Sequence, residues 1–91
     1  MLQQTKVSQF NGKNGAVKNQ FTINTPTGLV FQSYDSVIAF IPNDGSKTKL
    51  DSKYWNYSVT TSKYRNQFLN EETKTTQRKI NEGIYELTNL N

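Results

Sequence analysis

LDSKYWNYSVTTSKYRNQFL, residues 50–69, holds the chain's one tryptophan, three of its five tyrosines and its clearest helix-start signal. Thr60, Thr61 or Ser62 can cap a helix, because a hydroxyl there accepts a backbone N–H that has no helical partner. Tyr64 and Phe68 then fall four apart on one face with Leu69 beside them, and Lys63, Arg65, Asn66 and Gln67 are expected to face outward. Ahead of the cap, residues 54–59 (YWNYSV) carry β-prone side chains and suit a strand or an extended connection. This stretch divides the chain, with sheet before it and helix after it.

Residues 16–24 (AVKNQFTIN) alternate Val17, Phe21 and Ile23 with polar neighbours, the pattern of a half-buried strand. Residues 25–28 (TPTG) supply a turn, with Pro26 presetting its own φ and Gly28 free to take positive φ. Residues 29–34 (LVFQSY) return, and Asp35-Ser36 makes a second tight connection. The run 37–41 (VIAFI) is the most apolar and suits a central strand covered on both faces. Asp44-Gly45 signals a hairpin. Residues 47–50 (KTKL) then pair back, their lysines marking an exposed sheet edge.

After the first helix, acids at 71–72 favour a new helix start over about residues 73–82, ended by Gly83 in a left-handed cap. Ile84 and Leu87 of the tail are expected to dock on the sheet or the first helix. The fold class is α+β: a small antiparallel β-meander of about four strands followed by two short C-terminal α-helices. Residues 1–14 form a polar arm, or one short strand over 5–10 anchored by Val7 and Phe10. Residues 15–91 form a single domain.

Composition narrows the chemistry. Only 33% of the residues are hydrophobic but 12% are aromatic. The core must therefore rest on Phe21, Phe31, Phe40, Trp55, Phe68 and some tyrosines. With neither cysteine nor histidine, the chain has no disulfide, no cysteine–histidine zinc site, no thiol nucleophile and no imidazole base. Asp35, Asp44 and Asp51 sit at expected turns, where local Asx hydrogen bonds explain them. No phosphate-loop or dinucleotide motif is present. An enzyme is not expected, nor is a cofactor or a metal. No apolar run approaches membrane-spanning length, so a cytoplasmic protein is expected. The abundance of Asn, Lys, Thr, Gln and Tyr suggests an AT-rich genome.

A net charge of +4 permits contact with nucleic acid or an acidic protein surface. Lys53, Tyr54, Trp55 and Tyr57, with Lys47, Lys49, Lys63 and Arg65 nearby, interleave aromatics and cations as single-stranded nucleic-acid binders do. The competing reading places Trp55 and its neighbours in the core. Lys74 and Arg78 lie one turn apart on the second helix and could follow a phosphate backbone or an acidic partner; a solvated surface explains them equally. A third reading is assembly, with an exposed sheet edge or the aromatic stretch pairing two copies into a homodimer.

The sequence FQSYDSVIA (pattern FxSYxSxIA), followed after a hairpin by LDSKYWNYSVTTSKYRNQFL (pattern LDxxYWxYSxTTSKYRxxFL), resembles a family of small uncharacterised proteins from phages and mobile elements of low-GC Gram-positive bacteria. The resemblance spans about residues 28–90 and carries no functional residues with it. With the small size and the absent catalytic chemistry, that context leads to the expectation of a non-enzymatic accessory protein that binds a host protein, with an anti-CRISPR-like block of a defence nuclease as one concrete form. The alternative is a small nucleic-acid-binding module.

Overall fold

A computed structural model describes residues 6–12 and 15–91. Six strands form one sheet in the order β1-β2-β3-β4-β5-β6. They are β1 (Lys6–Gly12), β2 (Gly15–Thr25), β3 (Gly28–Ser33), β4 (Ser36–Pro42), β5 (Lys49–Asp51) and β6 (Glu86–Thr88). Helices α1 (Val59–Leu69) and α2 (Thr73–Asn81) lie between β5 and β6. The first five strands pair antiparallel, whereas β6 pairs parallel to β5. A parallel neighbour requires a crossover, and the two helices supply it.

The α+β order is therefore as expected, but the sheet has six strands rather than about four. β5 is covered by β6 and is not an edge. The tail docks through that backbone ladder and through Tyr85, which packs on the core. Ile84 and Leu87, the expected anchors, remain exposed.

Two-residue turns join β2 to β3 and β3 to β4. Thr25 Oγ1 accepts the Gly28 N–H at 3.1 Å and pins the first of them. Gly28 is required for close approach, not for the positive φ expected of it. The Ile41 carbonyl and the Phe40 ring stand where its Cβ would go. Left-handed φ falls instead at Tyr34 in the second turn, at 54°.

Strand alternation sorts the sheet into two faces. Phe31, Ala39 and Leu50 are adjacent in register and fully buried. Tyr64, Phe68, Leu69 and Ile80 from the helices pack against this cluster. The Phe31 ring stacks on Phe68 at 5.4 Å and meets Phe10 at 5.6 Å. The other face carries Val7, Ile23, Val30 and Phe40 as one row across β1 to β4. Phe21 shares it, opposite Gln32 and Gln9. Phe21 and Phe40 are thus half-buried residues of the open face rather than members of the core.

Residues 54–59 are not a strand. They follow a turn built on Asp51, whose Oδ2 accepts the N–H groups of Lys53 and Tyr54 at 3.1 and 2.8 Å. Its Oδ1 accepts the Leu90 N–H at 2.8 Å, tying β5 to the tail. Burial pushes the Asp51 carboxyl upward, but these donors outweigh it and hold the group below its ordinary value. Such stability is present above the unfolded pKa and is lost as pH falls through the folded one. Asp51→Asn, which keeps the shape but turns N–H groups toward N–H groups, is expected to cost about 2–3 kcal/mol at neutral pH. The gap to the wild type should narrow as pH falls below about 4, the ordinary carboxylate value, toward the lower folded-state value. Urea midpoints measured from pH 3 to pH 7 check both statements.

Candidate functional site

Helix α1 starts at Ser58 rather than at Thr60, Thr61 or Ser62. The Ser58 Oγ accepts the Thr61 N–H at 3.1 Å. Counting from this cap, the inward stripe is Thr61, Tyr64, Arg65, Phe68 and Leu69, the i, i+3, i+4 spacing of a packed helix face. Arg65 therefore points inward and is fully buried, not outward as expected. Sequence reasoning missed it by counting only apolar residues on the stripe, although its spacing from Thr61 and Leu69 is the signal.

The guanidinium is bonded to oxygens and stacked against a ring. Nη1 donates to the Trp55 carbonyl and to Asn56 Oδ1 at 3.1 Å. Nη2 donates to Asn66 Oδ1 and Thr73 Oγ1, each at 2.8 Å. The guanidinium carbon lies 5.0 Å from the centre of the Trp55 ring. No carboxylate pairs with it among the described residues. Burial lowers its pKa, and the field of Glu71 offsets part of that.

Glu71 is committed elsewhere. Its Oε1 accepts Lys79 Nζ at 2.7 Å and the Tyr85 hydroxyl at 2.8 Å, and its Oε2 accepts the Thr76 hydroxyl at 2.6 Å. Burial pushes Glu71 up, but these donors bring it below the ordinary carboxylate value. Lys79 is raised by its bond to Glu71. Tyr85 is raised by burial and then by Glu71. All three shifts deepen the ordinary protonation states at neutral pH, the reverse of what a poised acid, base or nucleophile needs. The cluster clamps α2 to the tail.

The other anticipated residues do not converge on one surface. Trp55 and Tyr54 are half-buried against the core, which favours the packing role weighed for them. Tyr57 is exposed and meets Tyr54 edge-on at 5.2 Å. Lys53 and Lys63 lie over the rings of Tyr54 and Tyr64 at 5.3 and 5.2 Å. Lys47 is exposed in the loop before β5, and Lys49 sits on the open sheet face opposite Phe40. Lys74 and Arg78 are exposed on α2, with Arg78 paired to Glu82 at 2.9 Å. Lys63 alone of the set, with Tyr57, borders an open groove that runs along α1 between residues 56–58 and 70–73.

Among the described residues no cluster of three carboxylates could hold a metal ion. Nor is any described helix long and apolar enough to cross a membrane. Among the described residues, the sheet is backed by helices on one face and open on the other. Residues 5–84 match the model of a family of unknown function, DUF8033, and the chain belongs to that family. No curated protein and no solved structure matches it.

Proposed function

We propose that the chain is a small non-enzymatic accessory protein of phage type that acts by binding a host protein in the bacterial cytoplasm. Blocking a defence nuclease, in the manner of anti-CRISPR proteins, is its concrete form. The observation that carries the reading is the Val7–Ile23–Val30–Phe40 row, which crosses four strands on the face no helix covers among the described residues. Val7 is 61% exposed. Large contiguous apolar surface on a protein marks interaction sites, and this row is exposed at Val7 and half-buried at Ile23, Val30 and Phe40. The dispersal of the lysines, and the cover that Arg65 gives Trp55, favour a protein partner over stacked nucleic-acid bases.

The test is reconstitution of a stoichiometric complex with purified defence nucleases, followed by calorimetry. Phe40→Ala and Val7→Glu are each expected to weaken the complex about tenfold or more, as interface anchors do. Folding stability should change by no more than about 1 kcal/mol, since both sites are partly solvated. Full affinity in both variants would remove the sheet face from the interface. Turnover of a substrate would end the non-enzymatic reading. Salt-sensitive binding of single-stranded oligonucleotide, with no protein complex, would move the function to nucleic acid.

A further inference from the structure

The groove along α1 is wide and open to solvent, spans about 1160 Å³ and lies on the helix side of the sheet, away from the open face. That is room for a small organic ligand and not just for an ion. Phe10 and Val59 line it together with amides and hydroxyls, and the orientation of the amides is set from below. A guanidinium only donates, so Asn56 and Asn66 must both turn their carbonyl oxygens toward Arg65. The Asn66 amide nitrogen is then taken up by Thr73 Oγ1 at 3.1 Å. Asn56 also accepts the Ser62 hydroxyl at 2.6 Å on the same oxygen, and its NH₂ has no partner among the described residues. A buried cation thus fixes a free amide donor on an exposed groove residue.

The charge balance agrees. Glu71 borders the groove but is neutralised by Lys79. Arg65, under the wall, and Lys63, on it, have no carboxylate partner among the described residues. Two positive charges are therefore left unbalanced, one of them buried where it is weakly screened. The Nε of Arg65 is also buried without a partner. The first turn of α1 opens at the same end, through Ser58 and Val59, and adds to the positive field. The exposed ring of Tyr57 lies on the rim and offers a flat apolar surface beside the donors.

We infer that the α1 groove binds a phosphate group, free or as a phosphate monoester, held by Lys63 and the Asn56 amide over the buried Arg65. A monoester carries about −1.5 to −2 charge at neutral pH and so matches the two unbalanced cations.

The test titrates the whole chain with inorganic phosphate, adenosine monophosphate and adenosine at low salt, followed by the side-chain amide signals of asparagine in NMR. Phosphate and the monophosphate should both shift the Asn56 NH₂, and adenosine should not. Equal affinities would assign the site to free phosphate, and a tighter monophosphate would assign it to an esterified one with its base against Tyr57. Lys63→Glu should weaken either ligand about tenfold or more, the loss expected for one charge-assisted contact. Asn56→Asp separates binding from folding, because a carboxylate there pairs with Arg65 directly. Its melting temperature should rise while phosphate binding disappears. Unchanged affinity in Asn56→Asp, adenosine binding as well as its monophosphate, or no binding by either phosphate compound would overturn the assignment.

Discussion

Arg65→Met is expected to remove about 3–5 kcal/mol of stability, because it takes the donor from several part-buried acceptors at about 1–3 kcal/mol each. A chain of this size has only about 5–14 kcal/mol in total. At about 4–8 °C per kcal/mol, the melting temperature should fall by about 12–40 °C. The loss has an identifiable origin. Methionine matches the length of the stem but supplies no donor. The Trp55 carbonyl, Asn56 Oδ1, Asn66 Oδ1 and Thr73 Oγ1 all lose a guanidinium donor, and the Trp55 carbonyl is left without a side-chain partner among the described residues. These acceptors come from the turn before α1, from α1 itself and from the start of α2, so one side chain holds three segments together. Arg65→Lys should not rescue the fold. A single ammonium cannot reach acceptors spread around two guanidinium nitrogens, and it also gives up the planar contact with Trp55. Thermal melts of both variants check this, and a lysine variant as stable as the wild type would show that charge matters here and the fork does not.

The same residue shows where the sequence stops being legible. A helix ending near Leu69 could be read from its spacing, though not its start at Ser58, and the turns near Pro26 and Asp35 from their composition, the second falling at Tyr34-Asp35 rather than Asp35-Ser36. What a period cannot reveal is which face it serves. Phe21, Phe31 and Phe40 all alternate correctly, but only Phe31 enters the core, because the helices cover one face of the sheet and leave the other open. β6 was hidden for a different reason. Three residues of mixed character become a strand only because Leu50 stands ready to pair with Leu87 across a long crossover, and no local pattern records that pairing. Arg65 was hidden because charge is assumed to face water, whereas its helical position placed it inside.

The candidate surface fared similarly. Each residue of the aromatic and basic set was a reasonable choice by chemistry. Tertiary structure then scattered them over the β5 loop, the open sheet face, the turn before α1 and the outer side of α2. Lys53, Tyr54 and Tyr57 stay together in the turn before α1 and Arg65 lies over Trp55, while Tyr57 and Lys63 share the α1 groove. The apolar row on the open face was visible in the sequence as strand residues but was assigned to the interior. A sheet with one covered face and one open face gives the same alternation as a sheet covered twice, and only the number and placement of the helices decide between them.

Phe31→Ala is expected to cost about 3–5 kcal/mol, the range for emptying a closed aromatic site. Phe31 is fully buried, with Phe68 stacked on one side and Phe10 tilted against it on another. Each of those ring pairs adds about 0.5–1.5 kcal/mol beyond area alone. The site cannot collapse easily, because β3 is held on both flanks by neighbouring strands. Phe40→Ala, the same chemical change one strand away, should cost about 1 kcal/mol, since its ring is half-exposed on the open face and leaves no sealed cavity. A difference of about 2 kcal/mol or more between the two urea midpoints is therefore the signature of one packed face and one free face. Equal losses would mean that something covers Phe40 in the folded protein. The solvent-facing apolar row, and the partner surface drawn from it, would then have to be abandoned.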